Sequence, residues 1–280
     1  MNPNDEYHAD TARVSHSTLE VYRRSPAEYH GRFVTGTIPR PPSTPDQVFG
    51  SLVHCLLLEP EELAERYEIA ALDHRRGNQW KEAKAESDKA GKELLLPSQY
   101  RAAALTADAV TAHPEAAKLL GAGGVVEQPI YWHDETGLAC KCKPDLLIRL
   151  PEHVICVDLK TAVDPSPGGF SGLIDGETRR AGAIWQWGYH RQAAWYLDGI
   201  AAELGAKTIP AEWIFIVVGK APPHDVYVYR LDAAYIEIGR GQNTHDICNL
   251  ARSIETDDWS APGQNELLTI EPPKWAREQA

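Results

Sequence analysis

Two aspartates and a lysine lie next to or within two neighbouring apolar runs of the segment KCKPDLLIRLPEHVICVDLKTA. Asp145 precedes the first run, and Asp158 and Lys160 interrupt the second. Side chains alternate along a strand, so the segment predicts a hairpin in which Asp145 faces Asp158 and the apolar residues occupy the opposite face. Lys160 then points to the same face as Asp158, one pleat further along. This register requires an even-length turn, because one residue more would send the two aspartates to opposite faces.

Two carboxylates opposed across neighbouring strands, with Cβ atoms roughly 5 Å apart, repel each other unless a positive charge lies between them. Oxygen ligands suit hard divalent cations, and Mg²⁺ is the expected ion, with Mn²⁺ able to substitute. Lys160 would then hold an attacking water in line or lower its pKa. The residues alone leave open a second interpretation, a solvent-facing edge hairpin whose Asp and Lys side chains form surface ion pairs.

The part of the chain before the hairpin, residues 1–120, reads as mostly helical. A helix with apolar residues on nearly every side, around VFGSLVHCLLL, contains His54, and an alanine-rich helix near residues 98–120 should break at Pro114. The segment LDHRRGNQWKEAKAESDKAGKELL is charged and irregular, and we expect a surface loop or lid there.

The pattern changes to short β-rich runs from Val125 onwards. These are VVEQPIYW, LACKCKPDLLIRL and HVICVDLKTA, and a long helix near residues 183–204, two more strands and a last helix near residues 233–254 follow. The order predicts an α/β fold with a mixed central sheet flanked by helices. We expect one domain over residues 1–280, with its core at 121–256 and an irregular tail at 257–280.

The composition excludes several classes of protein. A net charge of −12 argues against a generally basic protein that coats nucleic acid. The polar start of the chain lacks the build of a signal peptide, and no apolar stretch is long enough to span a membrane. Five scattered cysteines argue against a disulfide framework and fit a reducing cytoplasm. Cys140 and Cys142 are better explained as buried free thiols than as metal ligands.

Several motifs together resemble a known family. Pro144-Asp145 followed by Asp158-Leu159-Lys160 resembles the core of the PD-(D/E)xK nucleases. The segments FGSLVHCLLLEP, GVVEQPIYW, GLACKCKPDLL, VDLKTA and YHRQAAWYLDGI occur in the order typical of the RecE-type exonucleases, the exonuclease VIII family of phages and prophages. The wider RecB-like group shares a Q-x-x-x-Y helix, matched here by Gln192 and Tyr196.

The resemblance implies roles for individual residues. His54, Asp145 and Asp158 would bind the metal together with the backbone carbonyl of Leu159, and Lys160 would be the catalytic lysine. Glu127 matches an acidic position that supports a metal or its water. Gln192 and Tyr196 are four residues apart and project from one helix face, where they would line the cleft and contact DNA. A lone histidine on an apolar helix, an exposed strand glutamate and polar residues on an amphipathic helix are the ordinary alternatives.

The resemblance also implies an activity. Such enzymes digest linear double-stranded DNA, 5′ to 3′, and leave 3′ single-stranded tails for a single-strand annealing protein of the RecT type. Relatives form rings around DNA, so a homo-oligomer, a tetramer by resemblance, is expected in the cytoplasm of a bacterial host. The alternatives are an endonuclease or single-strand-specific nuclease with the same core, and a non-catalytic scaffold that binds DNA ends.

Further basic residues suggest weaker DNA contacts. Arg75, Arg76 and Lys81 flank Trp80 in the charged segment and could contact phosphates, and a solvated lid explains them equally well. Arg179, Arg180 and Arg191 lead into or lie on the helix of Gln192, with Trp185 and Trp187 near, and we expect them to contact DNA.

Overall fold

The computed structural model describes residues 3–174, 176–178, 181–206, 211–261 and 263–272. The helices in these ranges are α1 Pro3–Ala9, α2 His16–Arg24, α3 Pro26–Tyr29, α4 Pro45–Leu58, α5 Leu63–Arg66, α6 Gly77–Lys89, α7 Pro97–Ala112, α8 Pro114–Leu120, α9 Pro167–Phe170, α10 Ala183–Gln186, α11 Tyr189–Glu203 and α12 Ala233–Thr256. A π-helical turn, His30–Val34, follows α3, and a 3-10 turn, Pro60–Glu62, precedes α5. In the described residues no helix is both long and apolar enough to cross a membrane.

The strands of the same ranges form one large sheet and three small two-stranded sheets. They are β1 Tyr67–Ile69, β2 Glu93–Leu95, β3 Val125–Val126, β4 Ile130–His133, β5 Ala139–Cys142, β6 Leu146–Arg149, β7 Val154–Ala162, β8 Leu173–Ile174, β9 Glu177–Thr178, β10 Ala211–Gly219 and β11 Val226–Arg230. The large sheet has the order β11-β10-β7-β6-β3. Strands β7 and β10 are parallel and the other pairs antiparallel, which confirms the predicted α/β fold with a mixed sheet.

The β6–β7 hairpin has the predicted register. Leu146 pairs with Val157 and Ile148 with Ile155, and the turn closes where the Leu150 N–H donates to the His153 carbonyl at 2.9 Å. The interpretation as an edge hairpin is wrong, because β7 lies between β6 and β10 inside the sheet. Both faces of the hairpin therefore pack against other elements.

The two faces of the sheet contribute to different parts of the core. The face opposite the aspartates packs Leu146, Ile148 and Val157 with residues of β10 and α7. The other face begins apolar, at Leu147 and Cys156, and becomes charged only towards Asp158. Leu150 departs from the predicted apolar face, because it lies at the turn and is 40% exposed.

The segment predicted to be a loop or lid folds as α6. Its inward-facing positions are Trp80, Ala83, Lys84 and Ser87, which follow the spacing of one helix face. Ser87 is buried and donates to the Lys92 carbonyl at 3.0 Å. The prediction failed because the charge of this segment hid a narrow helical stripe made of small and amphipathic side chains.

Two other elements are interrupted where continuous ones were predicted. The run VVEQPIYW divides at Glu127, whose φ of 52° is left-handed, so β3 joins the large sheet and β4 pairs with β5. The helix predicted near residues 183–204 is divided between α10 and α11 by Gly188, whose φ is 66°. The predicted break at Pro114 is confirmed between α7 and α8.

Helix α1 has no counterpart in the sequence prediction. Its C-terminal end is held by Lys141 of β5, whose ammonium donates to the carbonyls of Tyr7 and Asp10. Lys141 is only 4% exposed, so these hydrogen bonds and the Tyr7 ring, 4.4 Å from its ammonium, replace its hydration. The five cysteines form no disulfide, and all except Cys248 are buried, as expected.

Candidate active site

Four parts of the fold meet at one end of the β6–β7 hairpin. Strand β7 supplies Asp158 and Lys160, the residue before β6 is Asp145, and the break between β3 and β4 supplies Glu127. Helix α4 brings His54 to the same place. It packs closely on β7, because a Cβ on Gly50 would lie 3.4 Å from the Thr161 hydroxyl.

Asp145 is fixed by the backbone of the neighbouring strand. Its Oδ2 accepts a hydrogen bond from the Leu159 N–H at 2.8 Å. Continuing the hairpin register beyond β6 places Pro144 opposite Leu159, and proline has no N–H to donate to the Leu159 carbonyl. The Pro-Asp pair thus ends the ladder, and its carboxylate takes the N–H that a longer β6 would have used.

His54 lies between two carboxylates. Its Nε2 is 3.2 Å from Glu127 Oε1 and 3.3 Å from Asp145 Oδ2. Burial favours the neutral imidazole, but the carboxylates of Asp145 and Glu127 outweigh burial and raise the pKa of His54 to about 9. Burial also raises the pKa of Glu127, although His54 and Lys143 oppose this. The carboxylates of Asp145 and Glu127 therefore stabilise a positive charge between them, here the protonated imidazole of His54.

Asp158 is the most buried carboxylate of the group, at 1% exposure. It forms an ion pair with Lys160, and its Oδ1 accepts a hydrogen bond from Gln192 Nε2 at 2.9 Å. Burial raises the pKa of Asp158 to about 6, with Lys160 opposing the shift and Asp145 adding to it. Asp158, Lys160 and Gln192 therefore come together as the resemblance implies.

Tyr196 lies one turn from Gln192 on α11, with its ring edge-to-face against Trp213 at 5.7 Å. Burial raises the pKa of its hydroxyl well above the usual value, so Tyr196 is neutral. Its contact with DNA stays a prediction.

Two residues near the site were missed by the sequence analysis. Glu59, at the end of α4, has a carboxylate oxygen within 4.8 Å of ligand atoms of His54 and Glu127, and Arg66 holds it with hydrogen bonds of 2.7 and 2.8 Å. Tyr189 places its ring 4.8 Å from the Lys160 ammonium. The one available signal for Tyr189 was its position three residues before Gln192, on the same helix face.

The five arginines expected to contact DNA have different positions. Arg75 is exposed, lies over the Trp80 ring at 5.5 Å and donates to Gln99, and Arg76 is exposed. Arg179 and Arg180 lie outside the described residues. Arg75 and Arg76 remain candidates for phosphate contacts.

Arg191 does not fit the expected DNA contact. It is 5% exposed and forms ion pairs with Glu20 of α2 and Asp246 of α12, and its Nε donates to Asn243 at 3.1 Å. Asn243 in turn donates to the Arg191 carbonyl at 2.8 Å. The guanidinium connects the first turn of α11 to two other helices, and its two ion pairs already balance its charge.

Next to this cluster, His16 should make stability depend on pH. Burial lowers the pKa of His16 to about 3; Glu20 opposes the shift, and the cations of Arg191 and Lys160 add to it. The unfolded chain binds a proton below the usual value of 6.5 and the folded protein does not, so stability is complete above that pH and falls below it. At pH 5 the expected loss is about 2 kcal/mol.

Urea unfolding of the wild type and of His16→Gln at pH 7 and pH 5 measures this loss. The wild type should lose about 2 kcal/mol more than the variant between the two pH values. Equal losses would show that His16 takes up its proton in the folded protein.

Comparison with known proteins agrees with this geometry. Residues 15–268 match the model of a family described as a PDDEXK-like domain of unknown function (DUF3799). Among curated proteins, none matches the sequence. A crystal structure of a candidate exonuclease from Eubacterium rectale is similar with a TM-score of 0.63 and 12% identity, over 100% of this chain and 98% of that chain.

A second solved structure, that of SSO0001, has a TM-score of 0.28 and 15% identity over 70% of this chain and 85% of that chain, which is too low to support an argument. At these identities the solved structures show the fold alone. The family model covers most of the chain and includes the hairpin, α4 and α11. The chain therefore belongs to the family of PDDEXK-like domains, DUF3799.

Proposed function

We propose that this protein is a metal-dependent exodeoxyribonuclease that hydrolyses linear double-stranded DNA. The observation that carries the proposal is the convergence of Asp145, Asp158 and Lys160 on one face of the hairpin, beside His54 and Glu127. The family match supports a nuclease core, and the similar fold of a candidate exonuclease supports action at DNA ends.

The residues at the site fit a hard divalent cation. His54 lies between Glu127 and Asp145, Asp158 lies beside Lys160 on β7, and Lys143, Lys160 and a protonated His54 balance the charge of the three carboxylates. Asp145, Asp158 and the Leu159 carbonyl would hold Mg²⁺, with His54 in its neutral form as a further ligand. Glu127 would hold a second ion or a metal-bound water. When bound, the metal would supply Lewis acidity and stabilise the charge that develops on the phosphate.

The chain's own groups would position the reactants. The Lys160 ammonium, held between Asp158 and the Tyr189 ring, would donate to the attacking water or to a non-bridging oxygen of the phosphate. Gln192 would keep the Asp158 carboxylate in one orientation, because its amide already donates to Oδ1. The side chains of His54, Glu127, Asp145, Asp158 and Lys160 are at most 19% exposed, which would limit the access of water to the site.

The ring of Tyr189 should matter more than its hydroxyl. Tyr189→Leu removes the aromatic face that holds Lys160, while Tyr189→Phe keeps it, so we expect kcat to fall about 5- to 30-fold in the leucine variant and to stay within about 2-fold in the phenylalanine variant. Steady-state cleavage of linear duplex DNA by the two variants measures this. An equal loss in both would assign the effect to the hydroxyl group instead.

The resemblance supports finer proposals about the reaction. Digestion would run 5′ to 3′ and leave 3′ single-stranded tails, and a single-strand annealing protein of the RecT type would take up these tails. Several copies would form a ring around the DNA, a tetramer by resemblance.

Linear and circular DNA substrates distinguish an exonuclease from an endonuclease, because only an endonuclease can cleave a molecule without ends. With Mg²⁺ present, linear duplex should be degraded from its ends while a covalently closed circle of the same sequence stays intact. Duplexes labelled at the 5′ or the 3′ end of one strand then give the polarity, and early release of the 5′ label is expected. Linearisation of the circle would identify an endonuclease, and early release of the 3′ label would reverse the proposed polarity.

A further inference from the structure

A second cleft lies beside the candidate active site, on another face of the first turn of α11. It has a volume of about 530 Å³, and side chains from α2, α10, α11 and α12 line it. This volume is within the range of about 300–1,000 Å³ that is usual for ligand sites. Gly188 and Arg191 contribute to the cleft, and Tyr189 and Gln192, from the same turn, contact Lys160 and Asp158.

The lining of the cleft combines aromatic, amide and basic groups. Trp185 forms one wall, and Gln242, His245 and Arg23 offer hydrogen-bonding groups along the others. Trp187 directly precedes Gly188 in the chain, and its indole is 61% exposed, an unusual state for so large an aromatic side chain. Aromatic rings that stack on bases, together with Arg and amide groups, are typical of surfaces that bind single-stranded nucleic acid.

The positive and negative charges at the cleft balance each other. Binding of nucleic acid is therefore more favourable here than on the rest of the acidic surface. The arginines Arg23 and Arg191 both pair with Glu20, and Asp246 pairs with Arg191. A neutral site repels phosphate less than a surface of the average charge of this protein does. Stacking on an indole needs no net charge, since every base has a π face.

The distance to the active site suits a DNA strand. A helix with its side chains is about 10–12 Å across, so groups on two faces of one turn of α11 are separated by about that distance. Stacked DNA rises about 3.4 Å per nucleotide, and about three nucleotides therefore connect a phosphate at Lys160 with a base in the cleft. Bases present their faces only when the strands are separated.

From these observations we propose that Trp187 and the adjoining cleft bind unpaired nucleotides of single-stranded DNA next to the catalytic centre. The site would hold the end of a strand that has been separated from its complement. The biological role of this site rests on the proposed nuclease function. Trp187 supplies the stacking platform, and the cleft accepts a neighbouring nucleotide between Trp185 and Gln242.

Binding of a fluorescently labelled oligothymidylate to the full-length protein tests this site. Fluorescence anisotropy is measured in EDTA, which prevents metal-dependent cleavage. Binding is thus measured separately from catalysis. Trp187→Ala should weaken binding about 5- to 100-fold, and Trp187→Phe, which keeps an aromatic face, should stay within about 3-fold of the wild type. Tyr131→Ala is a matched control, because Tyr131 is also an exposed aromatic residue, at 48%, and lies on β4.

Unchanged binding by Trp187→Ala, an equal loss in Tyr131→Ala, or no binding by the wild type would overturn the proposal. Cleavage of linear duplex is assayed separately with Mg²⁺. If the wild type binds the oligonucleotide through Trp187 but cleaves no DNA, the proposed nuclease function fails and the single-strand site stands. If it cleaves DNA but Trp187→Ala binds normally, the site fails and the nuclease function stands.

Discussion

Replacement of Lys160 by alanine is expected to lower the rate of Mg²⁺-dependent DNA cleavage about 10²- to 10⁴-fold. The ammonium pairs with Asp158 and lies 4.8 Å from the Tyr189 ring, so the alanine variant lacks a positive charge at this position. Nucleotide release from linear duplex DNA measures the effect. Lys118→Ala, which removes an exposed lysine of α8, should behave as the wild type.

Loss of folding must be separated from loss of chemistry in this variant. Without Lys160, the carboxylate of Asp158 is buried beside Asp145 without its cation, which costs about 3–5 kcal/mol unless it takes up a proton. Urea unfolding of Lys160→Ala should show a lower free energy of unfolding than that of the wild type. Adding Asp158→Asn in the same chain should restore part of the lost stability. Full cleavage activity in a folded Lys160→Ala protein would exclude the lysine from catalysis.

Asp158→Asn is expected to lower the affinity for Mn²⁺ at least about 100-fold and to abolish cleavage. The neutral amide keeps the size of the side chain and can still exchange a hydrogen bond with Gln192, but it removes one of two opposed carboxylates. Calorimetric titration with Mn²⁺ measures the affinity directly. The matched control is Asp225→Asn, which neutralises an exposed aspartate in the turn before β11.

Wild-type Mn²⁺ affinity in Asp158→Asn would show that the cation binds elsewhere. The group His54, Glu59 and Glu127 is then the obvious place, since their ligand atoms lie within 4.8 Å of one another. Loss of metal binding in both aspartate variants would instead point to a general effect of charge on this acidic protein.

The hairpin and its acidic face were predictable from the sequence because they depend on local rules. Alternation along a strand and the length of one turn decide that Asp145 and Asp158 share a face, and the observed register confirms the turn. The position of His54 has no such local signal, because α4 reaches the hairpin through tertiary packing. It was expected only from the resemblance to RecE-type exonucleases.

The errors came from residues whose partners are distant in the chain. Arg191 resembled a DNA contact next to two tryptophans, but its counter-charges, Glu20 and Asp246, come from α2 and α12. At the break between β3 and β4, Glu127 has a positive φ. This conformation is uncommon for residues other than glycine, so the residue type gave no signal for it. This conformation turns the chain from β3 to β4 and holds the Glu127 carboxylate against His54.

The most direct test of the account is the release of nucleotides from linear duplex DNA by the purified wild-type protein, with Mg²⁺ and with EDTA. Release is expected with Mg²⁺ and none is expected with EDTA. Equal release in both conditions, or no release by a folded protein that calorimetry shows to bind the metal, would contradict the claim that the carboxylates of the β6–β7 hairpin form a metal-dependent nuclease centre.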